Sequence, residues 1–491
     1  MNLKEDLKNP IFGIIGEVAD SMGREVYAVG GFVRDIFLKR ESKDYDFVTV
    51  GSGIELAEAV AKRLGGKAHI SVFPNYGTAQ VKFHDLELEF VGARRESYNR
   101  NSRNPIVEDG SLEDDMRRRD FTINAMAVCL NKDRFGELLD PFNGLVDLHN
   151  GILRTPLDPD VTFSDDPLRM LRAIRFATQL YKVPSDTAEN KPPTSFRIFP
   201  ATFEAIRRNA SRMEIITRER INDELSKIMR SPRPSVGWRL LDMSGLLEYV
   251  FPSLVPLKGV EMKEGKGHKD NFYHTIQVVD NVARRSDNEW LRWAALLHDI
   301  AKPTTKKYDS RLGWTFHNHN FIGEKMVPRI FREMKMPLNE KMKYVARLVG
   351  LHMRPQSVGE EGVSDSGVRR MITDAGKDLD DLMILAESDI TSKQPEKVKR
   401  QLEGFAKLRE RMKAVEDADE LRRWKNPIDG NEIMERLDIS PGPVLSEMKN
   451  FVKEAIIEKK IPYDHDAAWD YLEANLSLFK DKMKRRERDV D

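Results

Sequence analysis

Two aspartates stand two residues apart in an apolar and aromatic segment, Asp44 and Asp46 in DYDFVT. Alternate residues of a strand point to the same side, so the carboxylates converge while Tyr45 and Phe47 pack on the other face. Two neighbouring carboxylates repel each other and resist desolvation. A divalent cation relieves that repulsion, and oxygen ligands suit Mg²⁺. The pair predicts a magnesium site, although an isolated Asp-x-Asp is also typical of a solvated turn.

A glycine pair precedes these aspartates and is followed at once by charged residues. Gly30-Gly31 ends a predicted strand, and Arg34 and Asp35 fall in the first turn of a predicted helix. Small residues let backbone N–H groups approach a phosphate, and Arg34 could bind a further phosphate oxygen. An ordinary strand–helix turn is the alternative for the glycines alone. Together with the aspartates, the set predicts a triphosphate site beside a metal site.

A third carboxylate would help to hold two metal ions. Glu89 lies in LELEFVGAR, on a strand-like alternation that is followed by Arg94. Glu87 shares the same face and is its rival. A solvated edge of a sheet is the other interpretation of both glutamates.

Four charged residues spaced three apart could recognise a base. They lie in DDPLRMLRAIRF and are Asp166, Arg169, Arg172 and Arg175. On a helix such steps drift by about 60° each, which keeps the set on one side. A carboxylate accepts from the exocyclic amino group of cytosine or adenine, whereas uracil and guanine present carbonyl oxygens there. A solvated face with i, i+3 ion pairs is the alternative.

Histidines and aspartates recur in the apolar helical text of the second half. The pair His298-Asp299 follows WAALL, and other segments supply further candidate ligands, namely His274, His319, His352 and Asp389. Imidazole and carboxylate ligands suit a transition metal or Mg²⁺, so the set predicts one or two divalent ions. His317 competes with His319, and a structural helical domain that merely retains these histidines is the alternative.

The bulk composition is that of an ordinary globular protein. The chain has 491 residues, 40% of them hydrophobic and 33% charged, and a formal net charge of zero. Its length suggests about three domains, and its neutrality means that nucleic-acid binding must depend on local basic patches. Cys129 is the only cysteine, which excludes an internal disulfide. We expect a cytoplasmic protein, because neither a signal peptide nor a membrane-spanning apolar run is evident.

The elements that must position these residues change in character along the chain. The first 150 residues mix strand patterns such as EVYAVGG, YDFVTVG, YGTAQVKF, LELEFVGA and TINAMAVCL with the helical pattern GIELAEAVAKRLGG. Helical patterns then dominate to the end. We expect an α+β fold with three domains, at residues 1–155, 156–255 and 256–400, and a helical appendix at 401–491.

Five motifs in this order, GGFVRD, DYDFVT, RRRDFTINAMA, DPFNGLVDL and DDPLRMLRAIRF, resemble the class II tRNA nucleotidyltransferases of the polymerase β superfamily. RERINDELSKIM resembles the neck-helix motif of that family. The resemblance covers roughly residues 10 to 255. It implies a small mixed-sheet catalytic head at 1–155 and a helical neck and RNA-binding body at 156–255. HDIAKP and its companions resemble the HD phosphohydrolase superfamily, which implies a helical metal-dependent domain at 256–400.

The resemblance also implies roles for single residues. Gly30, Gly31, Arg34 and Arg119 match nucleotide-binding positions, and Asp44 and Asp46 match the metal ligands. Asp166 and the three arginines after it match the nucleotide-selecting helix. Asp165 departs from the usual glutamate, and an insertion near Ala188–Thr194 is a second departure. The polar segment ARRESYNRNSRNPIVEDG fits a mobile loop or a solvated connector.

The implied activity is the addition of CCA to the 3′ end of tRNA from CTP and ATP by two-metal nucleotidyl transfer with Mg²⁺. The HD resemblance implies a phosphatase or phosphodiesterase with a divalent metal of unknown identity. A poly(A) polymerase and an enzyme that adds only part of CCA share the same head motifs. A hydrolase that uses the head only to bind RNA, and a non-catalytic sensor of RNA ends, are the alternatives from other classes.

Overall fold

The computed structural model describes residues 1–41, 44–97, 106–182, 194–267, 269–359, 364–392, 394–419 and 425–479. The chain divides into two compact units. Unit 1 comprises Met1–Lys258 with Ile330–Met336, and unit 2 comprises Gly259–Arg329 with Pro337–Asp491. The central part of the expected mobile loop, at 98–105, and most of the expected insertion, at 183–193, lie outside the described residues.

Unit 1 combines one large sheet with helices. Its strands are β1 Val26–Val29, β2 Asp44–Thr49, β3 Ala68–Phe73, β4 Thr78–Phe83, β5 Leu86–Gly92, β6 Arg94–Ser97, β7 Ile106–Asp109, β8 Ala127–Cys129, β9 Leu138–Leu139, β10 Ile152–Leu153, β11 Tyr181–Lys182, β12 Thr194–Ser195 and β13 Arg197–Ile198. Its helices are α1 Pro10–Ser21, α2 Gly31–Phe37, α3 Gly53–Leu64, α4 Leu112–Arg117, α5 Gly144–Asn150, α6 Pro159–Asp165, α7 Leu168–Gln179, α8 Pro200–Asn209, α9 Arg218–Met229, α10 Pro234–Met243 and α11 Leu247–Val250.

The large sheet has seven strands in the order β3-β4-β5-β2-β1-β8-β9. Strands β2 and β5 pair in parallel, and the other neighbours pair antiparallel. The expected mixed sheet is therefore confirmed, with the five predicted strands as β1, β2, β4, β5 and β8. Edge strand β3 was not predicted from the sequence, although AHISVF contains the β-branched and aromatic residues that favour strands.

Aromatic side chains fill the face of the sheet behind the acidic residues. Tyr45 and Phe47 are buried on β2. Phe12 of α1 packs against Tyr45 with ring centroids 5.0 Å apart, and Phe47 stacks on Phe90 of β5 at 5.1 Å. Helix α1 begins where Asn9 accepts a hydrogen bond from the backbone N–H of Ile11. This packing fixes the face of β2 that is left for Asp44 and Asp46.

Unit 2, as far as its residues are described, is helical apart from two short hairpins. The hairpins are β14 Met262–Lys263 with β15 Lys266–Gly267 and β16 Lys307–Asp309 with β17 Gly313–Thr315. The helices of the second half are α12 Asn271–Ala283, α13 Glu289–Leu297, α14 Lys302–Thr305, α15 His319–Glu333, α16 Glu340–Leu351, α17 Arg354–Val358, α18 Asp365–Ala375, α19 Leu379–Ser388, α20 Pro395–Asp419, α21 Gly430–Leu437, α22 Pro443–Ile457 and α23 His465–Ala474.

The last three helices of unit 2 share a small apolar core of their own, in which Met448, Val452, Trp469 and Leu472 are buried. The other helices enclose the predicted histidines. Among the described residues, no helix combines the length and the apolar character that a membrane span requires.

Candidate active site and candidate metal centre

A cleft of about 860 Å³ opens in unit 1 on the acidic face of the sheet. Its walls come from the end of β1, from β2 and β5, from the segment after α4, and from α7 and α9. The eleven residues that were predicted to form the site in this half all line it: Gly30, Gly31, Arg34, Asp44, Asp46, Glu89, Arg119, Asp166, Arg169, Arg172 and Arg175. Residues from distant segments are thus gathered around one space.

The carboxylates meet because β2 and β5 are paired in parallel. In this register Asp46 lies opposite Glu89, and Asp44 lies opposite Glu87. Glu87 is held by Lys82, whose Nζ lies 3.0 Å from its carboxylate. Glu89 is therefore the more suitable third carboxylate beside Asp46, and the geometry favours it over its rival.

Burial is the largest influence on the pKa values of the carboxylates of this wall, and neighbouring negative charge adds to it. Burial raises the pKa of Asp46, and Asp44 raises it further, against the opposing charge of Arg119. Burial likewise raises the pKa of Glu89, and the charge of Asp46 adds to the effect. A cation among these oxygens would relieve the repulsion, so the donor set fits a divalent ion.

The head carboxylates do not by themselves form a closed cage. Within the described residues, groups of three or more ligating side chains with donor atoms within 4.8 Å occur only in unit 2. Mg²⁺ commonly takes one or two protein carboxylates and completes its shell with water and substrate phosphates. An open pair of aspartates beside a large cleft suits this mode of Mg²⁺ coordination.

Gly30 keeps the space between the acidic and basic walls open. Its φ of +72° lies in the left-handed region, and a Cβ there would stand 3.1 Å from Nη1 of Arg119 and 3.3 Å from Oδ2 of Asp46. A side chain at this position would be strained and would crowd both walls. The guanidinium of Arg119 therefore lies close to the Asp46 carboxylate.

Carboxylates hold the arginines of the cleft by one edge. Arg34 donates from Nε and Nη2 to Asp35 at 2.9 and 3.0 Å and from Nη1 to Asn124 at 2.8 Å. Arg119 donates from Nε and Nη2 to Asp115 at 3.1 and 2.9 Å. Such two-donor pairing fixes the plane of a guanidinium, so these cations are oriented before any ligand arrives.

The arginines of α7 are anchored in the same way. Arg172 donates from Nε to buried Asp120 at 2.8 Å, and Arg175 pairs with buried Glu224 of α9 at 3.2 Å. Burial opposes ionisation of Asp120, but Arg172 outweighs it and lowers the pKa of Asp120 to about 2. These two pairs tie α7 to the RRRD segment and to α9.

The helical placement of Asp166 predicted from the sequence is wrong. Asp166 is extended, with φ −134° and ψ 99°, and α7 begins only at Leu168. The reason is Pro167, which disfavours helical conformation in the residue before it. Asp166 instead caps the helix, because its Oδ1 accepts from the backbone N–H of Leu168 at 3.2 Å. Asp166 and Arg169 still line the cleft together.

Several residues of the cleft were missed from the sequence. Phe176 is the most informative, because the guanidinium carbons of Arg175, Arg34 and Arg172 lie 4.3, 5.2 and 5.5 Å from its ring centroid. The other polar residues are Gln80, Arg118, Asp120, Asn124, Gln179, Arg220 and Lys227. Arg118 and Asn124 belong to the RRRDFTIN motif itself, which offered a signal. Arg220 and Lys227 belong to the neck-helix motif, whose resemblance to the family offered a signal.

All six predicted ligands of the second half meet inside unit 2. They form the groups His274, His298, Asp389 and Asp299, His319, His352, each with donor atoms within 4.8 Å. Asp299 lies between the groups, with Oδ2 3.2 Å from Nε2 of His298 and Oδ1 3.4 Å from Nε2 of His319. The rival His317 is exposed and belongs to neither group.

The second ring nitrogen of each histidine is anchored. Nδ1 lies 2.7 Å from a backbone carbonyl oxygen in three of them, with the pairs His298–Ala295, His319–Phe316 and His352–Val349. Nδ1 of His274 lies 2.8 Å from Oγ1 of Thr391. A donor hydrogen on Nδ1 leaves the lone pair of Nε2 for a metal, which is the arrangement of ligating histidines.

The charges of this cluster fit a bound cation. Burial opposes protonation of His298, but Asp299 and Asp389 outweigh it and raise the pKa of His298 to about 10. Burial and the charge of His298 lower the pKa of His352 to about 4. Nε2 of His298 is buried without a well-directed hydrogen bond, whereas Oδ2 of Asp299 lies 2.6 Å from Nζ of Lys302. Buried Asp299, partly exposed Asp389 and four inward-facing imidazoles therefore form a donor set suited to one or two divalent metals.

Comparison with known proteins defines the class first. Residues 26–154 match the poly A polymerase head domain, residues 195–257 match the probable RNA and SrmB-binding site of polymerase A, and residues 271–393 match the HD domain. The fold and cleft of unit 1 are thus those of a nucleotidyltransferase head.

Relatives define the family. An A-adding tRNA nucleotidyltransferase of Deinococcus radiodurans is 31% identical over 439 residues, which cover 87% of this chain and 90% of the relative. A multifunctional CCA protein of Shewanella frigidimarina is 33% identical over 318 residues, 64% of this chain and 70% of the relative. A solved tRNA nucleotidyltransferase, complexed with a primer tRNA and an incoming ATP analog, is 27% identical with a TM-score of 0.54, covering 81% of this chain and 98% of that one. The chain belongs to the tRNA nucleotidyltransferase family.

Replacing Asp120 with Asn tests the pair that holds α7. The folded-state pKa of Asp120 is about 2, below the ordinary 3.8. Its ionisation therefore stabilises the fold above about pH 4 and loses this effect as the pH falls through 2. We expect Asp120→Asn to lower the free energy of unfolding by about 2 kcal/mol at pH 7 and by much less near pH 2, as measured by denaturant titration at each pH.

The matched control for this prediction is Glu113→Gln. Glu113 pairs with Arg117 at 2.6 Å, but both side chains are more than half exposed. Exposed pairs contribute little, so the expected change stays below about 0.5 kcal/mol. Equal destabilisation by the two substitutions would contradict the role of the buried pair.

Proposed function

We propose that the cleft of unit 1 adds CCA to the 3′ end of tRNA from CTP and ATP without a nucleic-acid template. The observation that carries the proposal is the convergence of paired carboxylates, oriented arginines and a polar helix start in one cleft. Membership of the tRNA nucleotidyltransferase family supports the choice of RNA end and reaction type. Nucleotide binding alone would need only the basic wall. The adjacent carboxylates add ligands for a metal ion, which supports nucleotidyl transfer.

Each wall of the cleft then has a distinct task. Asp44 and Asp46 offer oxygen ligands to Mg²⁺, with Glu89 as the third carboxylate. Bound Mg²⁺ would acidify the RNA 3′-hydroxyl and neutralise the departing pyrophosphate. Arg34 and Arg119 neutralise the triphosphate through guanidinium groups that are already oriented. Gly30 leaves room for the ligand between these groups.

Residues at the start of α7 select the base. The Asp166 carboxylate accepts from the amino group of cytosine or adenine, and Arg169 donates to a ring nitrogen or carbonyl oxygen. Arg172 and Arg175 act less directly, because each guanidinium is already paired with a carboxylate. These pairs hold α7 in place. The cleft would thus choose C and A by the hydrogen-bonding pattern of the base.

Addition of the terminal A alone is the second candidate function. The Deinococcus relative, named as A-adding, matches over 90% of its own length. Transcripts that end before CCA, after C or after CC should be incubated with Mg²⁺ and each NTP, singly and together. Ordered C, C, A products support complete addition, whereas activity with ATP on the CC end alone supports the second candidate. An unlimited A tail would indicate a poly(A) polymerase.

Asp46→Ala tests the metal-binding wall. Without this ligand we expect incorporation to fall by at least roughly a thousandfold, while tRNA binding stays close to wild type. Primer extension and filter binding measure the two quantities. Glu87→Ala is the control, because Glu87 lines the same cleft but is held by Lys82. Incorporation that survives Asp46→Ala would rule out this site for the metal.

Asp166→Ala tests base selection. We expect UTP to be admitted, with the preference for CTP over UTP falling roughly tenfold to a hundredfold. Because Asp166 also caps α7 through Leu168, Asp166→Asn serves as a second variant that retains a capping oxygen. Unchanged preference in both variants would remove Asp166 from base recognition.

We also propose that unit 2 hydrolyses phosphate esters with a divalent metal. The support comes from six converging ligands with anchored Nδ1 atoms and from the match to the HD domain. A pocket of about 670 Å³ adjoins the ligands, and Lys269, Lys302 and Lys397 line it. Positive side chains beside a metal suit an anionic ester.

His298→Ala separates the two activities. We expect phosphate release from a nucleotide 2′,3′-cyclic or 3′-phosphate to be lost, together with tightly bound metal, while nucleotide addition continues. His317→Ala is the control, since it removes an exposed histidine of the same pocket. Phosphate release is measured across a panel of Mg²⁺, Mn²⁺ and Ni²⁺, and metal content by elemental analysis. Parallel loss of both activities would show that the units are not separable.

A further inference from the structure

A fully buried carboxylate stands behind the basic wall of the cleft. Asp115, in helix α4, has no exposed surface. Its Oδ1 accepts from Nε of Arg118 at 3.0 Å, and its Oδ2 accepts from Nε and Nη2 of Arg119 at 3.1 and 2.9 Å. One acid thus engages two arginines that both line the cleft.

This pairing decides which end of Arg119 reaches the ligand space. Asp115 takes the edge formed by Nε and Nη2, so Nη1 is the remaining nitrogen. Nη1 faces the carbonyl oxygen of Asn124 at 3.5 Å. It also lies 3.1 Å from the point that a Cβ on Gly30 would occupy, a point 3.3 Å from Oδ2 of Asp46. Nη1 is therefore directed toward the acidic wall.

We propose that Asp115 is a positioning residue that fixes the guanidinium of Arg119 against the triphosphate of the incoming nucleotide. The inference rests on the proposed function of the cleft. A carboxylate without exposed surface is stable only while its partners stay in place, so the pair resists rotation of Arg119. Burial opposes ionisation of Asp115, but Arg119 and Arg118 outweigh it and lower its pKa, which keeps the pair charged at neutral pH.

The same helix contains a natural control. Asp114 stands next to Asp115 but faces Ser111 at the start of α4, where it accepts from the backbone N–H at 3.0 Å. Ser111 in turn accepts from the backbone N–H of Asp114 at 3.2 Å. This capping box stabilises α4 without contact to the arginines that Asp115 holds. Asp114→Ala therefore perturbs the start of α4 while it leaves the carboxylate of Asp115 in place.

The first test compares Asp115→Asn with Asp114→Ala in the full-length protein. We expect Asp115→Asn to raise the KM for ATP roughly tenfold to a hundredfold, with a smaller change in kcat and an unchanged KM for tRNA. Asp114→Ala should leave the KM for ATP unchanged even where it lowers the melting temperature. Equal KM values for the two variants would overturn the positioning role.

A double-mutant cycle tests whether Asp115 acts through Arg119. Arg119→Lys retains the charge but cannot present two donors from one planar edge. We expect it to raise the KM for ATP by itself and to abolish most of the further effect of Asp115→Asn. Wild-type KM in Arg119→Lys, or an undiminished effect of Asp115→Asn in that background, would contradict the proposal. Arg119→Lys also supplies the test if Asp115→Asn does not fold.

A readout without turnover separates this inference from the proposed function. Equilibrium binding of a non-hydrolysable ATP analogue with Mg²⁺ should weaken in Asp115→Asn as the KM rises. A wild-type protein that binds the analogue but adds no nucleotide would contradict the proposed function. Binding equal to wild type in Asp115→Asn would contradict the positioning role alone.

Discussion

Buried pairing between guanidinium and carboxylate groups is the constraint on which unit 1 depends. A ligand with several phosphates needs several cations, and cations that face one another would repel without counter-charges. The cleft solves this by placing an acid behind several of its arginines, as in Arg34 with Asp35, Arg119 with Asp115 and Arg172 with Asp120. Each pair neutralises and orients a cation at once, so the basic wall exists before the ligand binds.

The parts of the site that follow local rules could be predicted from the sequence. The period of two along β2 placed Asp44 and Asp46 together, and the burial of Tyr45 and Phe47 follows from the same alternation. The five histidine- and aspartate-bearing segments of unit 2 met as expected because each supplies a ligand type that needs partners when buried. Pro167 is a local signal against a helical Asp166, and its effect on the preceding residue outweighs the helical spacing of the charged residues.

The remaining features depend on long-range contacts that leave no local pattern. Arg172 meets an acid 52 residues away, and Arg175 meets one 49 residues away. The three-residue spacing therefore predicted four base-reading residues, whereas Arg172 and Arg175 pair with acids that hold α7 in place. The preference for Glu89 over Glu87 likewise follows only from the register of β2 with β5 and from Lys82 on β4.

Three of the ligands in unit 2 occupy the first position after a helix. His298 follows α13, His352 follows α16 and Asp389 follows α19. The carboxyl end of a helix carries roughly half a negative charge. Three such ends converge where the side chains meet, so the peptide backbone itself favours positive charge at that point. Retention of a dication would thus be shared between the fold and its six ligands, and loss of one imidazole would leave part of that attraction in place.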